Sequence, residues 1–295
     1  MKISYDTVEE LAELAEAHGQ RISDIVLKEQ AQAMERSEEE VYETMRQSFQ
    51  VMRQSVKDGM NPDLRSASGL SGGAAYKMKR AVDQGRNHFG YLFGNAMSMA
   101  LAVAEYNSCM GKIVAAPTAG SCGVLPAALI SVMEDKNIPE EDIVMSLFTA
   151  SAVGMVIAKN ASISGAEGGC QAEVGSASAM AACALTELFG GSPQMVVTSC
   201  AIALKNILGL VCDPVAGLVE VPCIKRNAMG VSNAFVACEL ACAGITSAIP
   251  ASEVIDSMKK VGQQMSSSLK ETAEGGLAAT PTGCRLCQQI FGNYQ

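Results

Sequence analysis

The stretch Glu167–Phe189, EGGCQAEVGSASAMAACALTELF, decides how the chain is read. From Ser176 onward it is built from Ala, Ser, Leu and Met with no alternation of apolar and polar residues, which predicts a buried helix and not a strand. Its first part sets one thiol, Cys170, among three glycines and two acids. A structural cysteine acts as a small hydrophobe on an apolar face and has no need of glycines before it. Cys170 therefore reads as a nucleophile, a redox thiol or a metal ligand, and its immediate neighbours leave all three open.

Outward from this stretch the same small-residue texture recurs. Apolar helical runs are predicted at 96–110, 124–133, 141–158, 176–189, 193–210, 231–248 and 252–270, separated by short loops rich in Gly, Pro, Ser and Asn. Before them, Thr7-x-x-Glu10 and Ser37-x-x-Glu40 are capping boxes followed by apolar residues at helical spacing. Residues 1–60 thus read as amphipathic N-terminal helices, stopped near Gly19 and Gly59, and 61–295 as a catalytic core within one domain. Aromatic residues make up 4% of the chain and Trp is absent, so a core must be assembled from Ala, Val, Ile, Leu and Met. The expected fold class is all-α, a compact multi-helix domain whose glycine-rich loops converge on a buried site.

A formal net charge of −9 argues against nucleic acid and anionic lipid, which are bound chiefly through Lys and Arg. Asp6, Glu9, Glu10, Glu13 and Glu16 occupy the region where a leader peptide would be basic and apolar, so a cytoplasmic location is expected. The uncharged run Ile113–Met133 is long enough for a bilayer, but Pro117, Gly120, Gly123 and Pro126 interrupt it, so it reads as a buried loop and helix and no membrane is expected. Eleven cysteines in a chain of this size are expected to be reduced, leaving some free for metal.

Chemistry is confined to five loops: 69–73 (GLSGG), 116–123 (APTAGSCG), 159–175 (KNASISGAEGGCQAEVG), 212–230 (CDPVAGLVEVPCIKRNAMG) and 275–283 (GGLAATPTG). The amides of the first are suited to an anion. Cys170, Cys212 and Cys223 lie in these loops, too far apart in sequence for a zinc ribbon or a ferredoxin run, so either each is a small buried residue or the three converge on one cluster. Cys109, Cys183, Cys200, Cys238 and Cys242 lie in apolar helical runs and read as core, whereas Cys122 is ambiguous. Cys284-Arg-Leu-Cys287 is a lone CxxC with no second pair. Glu167 and Glu173 flank Cys170 and serve either as acid–base groups or as helix caps. Of the two histidines, His18 reads as a helix-end residue, and neither it nor His88 shares a loop with a cysteine.

APTAGSCGVLPA, NASISGAEGGCQAEVG and CDPVAGLVEVPCIKRNAMG closely resemble the α-chain signatures of the iron–sulfur-dependent L-serine dehydratases, and the likeness runs from the GLSGG loop to the final IFG. The resemblance implies that Cys170, Cys212 and Cys223 hold a [4Fe–4S] cluster. It also implies a separate α/β part, which here would be a β subunit, giving a hetero-oligomer of the two-chain type. Single-chain members close with a cysteine tail, whereas this chain ends FGNYQ, so the fourth iron is expected to be vacant or solvent-bound. Gly169 and Ala172 stand where relatives often carry Val and Gly.

The implied activity is L-serine ammonia-lyase, a carbon–nitrogen lyase of serine catabolism that feeds pyruvate toward gluconeogenesis. Expelling hydroxide without pyridoxal phosphate calls for a Lewis acid on the β-oxygen, which a free cluster iron supplies. Substrate contacts are expected from Ser71, Gly72, Thr118, Ser121, Asn160, Ser164 and Arg226. The general base is unassigned: Lys159, Glu167, His88 and the partner chain are the candidates. Two alternatives stand beside this reading, an L-cysteine desulfidase with the same cluster and a non-catalytic iron–sulfur redox or sensor module.

Overall fold

A computed structural model describes residues 5–292. Among these, thirteen α-helices and three short 3₁₀ turns account for the regular structure, with no strand and a single β-bridge between Cys212 and Lys270. The all-α expectation therefore holds. The last three residues of the FGNYQ terminus lie outside the described residues, and with them most of the tail discussed above.

The N-terminal helices are α1 (Val8–His18), α2 (Ile22–Ala33) and α3 (Glu38–Gly59). Thr7 and Ser37 cap α1 and α3 with reciprocal bonds to Glu10 and Glu40, as the sequence predicts. His18 falls in the last turn of α1, ahead of Gly19. After α4 (Ala74–Asp83) come α5 (Tyr91–Ser108), α6 (Val124–Lys136), α7 (Glu140–Asn160) and the single turn α8 (Gly165–Gly168). The remainder are α9 (Cys170–Leu188), α10 (Pro193–Lys205), α11 (Cys223–Cys242), α12 (Ala251–Gln264) and α13 (Pro281–Phe291).

Helix α9 is the axis of the molecule. Every residue from Val174 to Glu187 is buried, enclosed by α6, α7, α10 and α11. Its Ala, Ser and Gly side chains let these neighbours approach closely, and the polar ones are satisfied across the contact. The Ser178 hydroxyl donates to Gly230 O at 2.9 Å, while the Asn233 amide spans Ser178 Oγ and Ala203 O, each at 2.8 Å. At the C-terminal end the buried Glu187 carboxylate accepts from the Ser23 amide and the Thr149 hydroxyl, joining α2 and α7 to α9.

Helix α7 is long and apolar enough to cross a membrane, and 72% of its most apolar window is buried inside the fold. The uncharged run from Ile113 forms a loop, a 3₁₀ turn at Ala119–Ser121 and α6, as expected. Of the cysteines read as core, Cys183, Cys200 and Cys238 are buried, Cys109 is half-buried and Cys242 is exposed, because it lies on the outer face of α11 at its last turn.

Three helix starts differ from the sequence reading: the run expected from 96 begins at Tyr91, and the other two carry cysteines. Runs expected from 176 and 231 begin instead at Cys170 and Cys223, which turns both cysteines from loop residues into the first residues of long helices. The glycines before Cys170 and Pro222 before Cys223 look like loop residues in sequence, yet in the fold they are the entry turns. Gly59 ends α3, as the sequence predicts, and it also sits against α5. A Cβ there would stand 2.0 Å from Ala102 O on α5. Gly59→Ala should therefore separate α3 from α5 and destabilise the fold by about 1–3 kcal/mol. Urea unfolding measures this, and an unchanged midpoint would mean that the two helices are not in contact.

Candidate metal centre

The N-terminus of α9 is assembled from residues distant in sequence. Gly169 takes φ 78°, and a side chain there would strike Met265 at 2.8 Å and Leu210 O at 2.9 Å. This close approach answers why glycines precede the thiol: they let the 209–212 segment and the end of α12 pack onto the first turn. Gln171 ties the turn down, since its backbone amide donates to Leu210 O and its side-chain amide donates to Gly168 O and Met258 O. Cys212 is fixed by a bridge to the following segment, with its amide on Leu269 O at 2.9 Å and its carbonyl accepting from Glu271 at 2.8 Å. Gly165 leaves room for its sulfur, since a Cβ there would lie 2.9 Å from Cys212 Sγ. Cys223 opens α11. One turn on, Asn227 donates to Cys223 O and Gly120 O and accepts from the Gly123 amide, fastening the 116–123 loop to the same pole.

All three cysteines are buried, with relative exposures of 1% for Cys170, 2% for Cys212 and 5% for Cys223. The Cys170 and Cys212 sulfurs and a Glu173 carboxylate oxygen lie within 4.8 Å of one another, a donor group able to hold a metal ion. Arg226 on α11 donates to Cys170 Sγ at 3.3 Å, to Val211 O at 2.7 Å and to Asp213 Oδ1 at 2.8 Å. The other Asp213 oxygen accepts from the Leu277 amide at 2.8 Å, which anchors the 275–283 loop.

The charges follow from these contacts. A hydrogen bond from the Cys212 thiol, helped by the Arg226 charge, holds Cys170 below the usual thiol range against the effect of burial. Its partner Cys212, acting as donor and buried, is pushed up. Burial pushes Cys223 up to about 12. Burial likewise raises Glu173, with the Thr118 hydroxyl offsetting part of the effect. Of the three thiols, Cys170, at a helix N-terminus and beside a guanidinium, is thus the one biased toward the thiolate.

Comparison with known proteins identifies the family. The family model described as serine dehydratase alpha chain matches residues 17–278. The chain belongs to that family. It is 50% identical over 288 residues to a probable L-serine dehydratase alpha chain of Bacillus subtilis (strain 168), covering 98% of this chain and 96% of the relative. The L-serine dehydratase alpha chain of Peptoniphilus asaccharolyticus is 41% identical over 281 residues, covering 95% and 96% of the two chains. The L-serine dehydratase TdcG of Escherichia coli (strain K12) is 36% identical over 280 residues, which cover 91% of this chain and 60% of that longer protein.

Within this serine dehydratase alpha chain the predicted contact residues fall into separate groups. Thr118 and Ser121 join the cysteine pole: their hydroxyls are 3.0 Å apart, and Thr118 donates to Glu173. Arg226 is there too, bound to sulfur and carboxylate. Ser71 and Gly72 line a cavity of about 130 Å³ with Glu105, Glu220, Pro222 and Lys225, on the other side of the Cys223 turn. The anion held by the glycine-loop amides is the chain's own: Gly72, Ala74 and Ala75 all donate to the buried Glu105 carboxylate, while Ser68 and Ser71 donate to Glu220.

Asn160 donates to Asp6 O, and Lys159 pairs with the Asp6 carboxylate at the surface. The Ser164 amide donates to Ser162 Oγ, and exposed Glu167 accepts from the Ser162 hydroxyl. Glu167 also lines a cavity of about 120 Å³ with Lys259 and Gln263. Exposed His88 precedes α5 at the end opposite Ser108; an 18-residue helix separates the two ends by about 27 Å. The sequence reading missed Asp213, Asn227, Glu105 and Glu220. Asp213, Asn227 and Glu220 were legible as polar residues inside the 212–230 cysteine motif; Glu105 carried no local signal.

Asp213 and Arg226 form a buried pair with side-chain exposures of 4% and 14%. Asp213→Ala leaves the guanidinium and the Leu277 amide without their acceptor and should cost about 3 kcal/mol. Denaturant unfolding, with hydrogen exchange at the Leu277 amide as a local probe, checks this. Unchanged stability and unchanged exchange would contradict it.

Proposed function

We propose that this alpha chain holds a [4Fe–4S] cluster through Cys170, Cys212 and Cys223 and, together with a β subunit, converts L-serine to pyruvate and ammonia without pyridoxal phosphate. The observation that carries the reading is that buried Cys170 and Cys212, from separate segments, meet beside Glu173, while buried Cys223 opens α11 close enough for its thiol to feel the Cys170 charge. The donor set fits the group, since thiolates are the preferred ligands of iron–sulfur centres. When bound, the cluster supplies a Lewis-acidic iron for the serine hydroxyl.

The chain's own residues do the rest. Burial excludes water from the sulfurs, and Arg226 offsets their negative charge. Gly120 and Thr118 hold the Glu173 carboxylate at the edge of the site, and we assign the half-buried Thr118 hydroxyl to a polar substrate, with the fully buried Ser121 hydroxyl supporting it. Ser71, Gly72, Asn160 and Ser164 are engaged with protein partners, so we assign them the shaping of the surrounding loops. Lys159, Glu167 and His88 sit on the surface, which favours a base contributed by the partner chain. The free state of all eleven cysteines supports a reducing, cytoplasmic setting.

Cys170→Ser, Cys212→Ser and Cys223→Ser should each abolish cluster assembly and pyruvate formation, whereas Cys284→Ser and Cys287→Ser should keep both. Iron and sulfide analysis with a coupled pyruvate assay tests this, and a dispensable member of the first three would refute the ligand set. Because its hydrogen bond to Cys170 and its burial hold Cys212 protonated, and burial does the same for Cys223, loading displaces protons and should speed up as pH rises above neutrality. Visible absorbance during anaerobic reconstitution follows it. Titrating purified β subunit into the loaded chain should raise the pyruvate rate from a low level to saturation; a maximal rate without it would return the base to this chain.

A further inference from the structure

Two sulfurs and one carboxylate oxygen, from Cys170, Cys212 and Glu173, lie within 4.8 Å of one another. Around a tetrahedral zinc ion, bond lengths to sulfur and oxygen set ligand separations of about 3.4–3.8 Å. The metal-free site is thus close to the dimensions of a single-ion centre, and a small contraction completes it. Cys223 stands outside this close group, although its thiol feels the charge of Cys170 and Glu173.

The outer contacts of such a centre are also present. Thr118 donates to the Glu173 carboxylate, and the Gly120 backbone packs so closely that a side chain there would lie 2.5 Å from Glu173 Oε1. Arg226 directs an N–H at Cys170 Sγ. Carboxylates and thiolates oriented in this way make better ligands. Three protein ligands with the fourth position left to water is the usual composition of an open zinc site.

We propose that the metal-free alpha chain binds one zinc-class divalent cation through Cys170 Sγ, Cys212 Sγ and the Glu173 carboxylate, and that this ion blocks iron–sulfur assembly in the same pocket. On binding, two sulfur–metal bonds and one oxygen–metal bond form, and any protons on the two thiols pass to solvent. Zinc binds a given nitrogen, oxygen or sulfur site more tightly than ferrous iron does, so it would not be displaced by the iron offered for assembly. The blocking half rests on the cluster reading above; the zinc site does not.

The test uses the full metal-free chain with Zn²⁺ competed against a chromophoric chelator, and with Co²⁺ as the spectroscopic probe. The expected result is one tight ion per chain, a thiolate-to-cobalt charge-transfer band and the intense visible bands of four-coordinate cobalt. Glu173→Gln should weaken zinc by about tenfold or more and alter the visible bands while the charge-transfer band persists. Cys170→Ser and Cys212→Ser should each weaken the charge-transfer band, with circular dichroism confirming the fold. Cys242→Ser and Cys284→Ser, at exposed thiols elsewhere, should change nothing.

No stoichiometric binding, an unaltered affinity and spectrum in Glu173→Gln, or loss of the ion in Cys242→Ser would each overturn the site. The same preparations, with and without prebound zinc, are then offered ferrous iron and sulfide anaerobically. A cluster that forms equally well in both overturns the blocking. A cluster that fails to form even without zinc, while zinc binds as described, leaves the zinc site standing and removes the cluster reading instead.

Discussion

A helix buried along its whole length can offer chemistry only at its ends. This constraint on α9 organises the molecule. Its small side chains admit four neighbouring helices, so none of its flank reaches solvent. The C-terminal end is closed by Glu187 and its bonds to α2 and α7, which leaves the N-terminus, where Cys170 is the first residue. Cys223 occupies the same position on α11, so two helix N-termini point their positive ends at one set of sulfurs. Arg226 adds a full charge to the same place. Together these offset the desolvation that three buried thiols would meet on becoming thiolates.

Around this pole the loops are held by carboxylates more than by apolar contacts. Glu173 holds Thr118, Asp213 joins Arg226 to Leu277, Glu220 gathers two serines, and Glu105 collects the Gly72 amide of the glycine loop and two amides from the first turn of α4. Each anion sits among donors fixed by a helix start or a turn, so the loops are preorganised and do not wait for a ligand to order them. That is why a glycine loop suited to binding an anion is already folded around one.

The fold class was legible because small-residue helical runs and two capping boxes are local features, and the structure keeps both. The cysteine motifs were legible as a set for a similar reason: glycine and proline beside a thiol mark a backbone shaped for close approach. What the sequence hid was connectivity across distance. Glu105 sits in an apolar helix with nothing nearby to suggest that it meets residues 72–75. Arg226 looked like a substrate contact because it follows Cys223 in a conspicuous motif, and only the fold shows it bound to Cys170 and Asp213. Helix starts at 170 and 223 were displaced by several residues because entry turns built from Gly and Pro look the same as loops in sequence.

The engagement of Arg226 bears on how labour is divided between chains. Its guanidinium already donates to a sulfur, a carbonyl and a carboxylate, and moving it to a substrate carboxylate would leave Asp213 buried and unpaired, at a cost that exceeds the gain from one exposed ion pair. Lys159 is occupied with Asp6. Lys225, at the rim of the Ser71 cavity, and Arg65, beside Gly73, are exposed cations of this region. On the function proposed above, recognition of the amino-acid carboxylate falls to such an exposed cation or to a surface brought in by the partner chain. On that proposal the thiol pole is the cluster-holding half of a site whose carboxylate-binding half is built elsewhere, with the Thr118 hydroxyl on the side that meets the substrate.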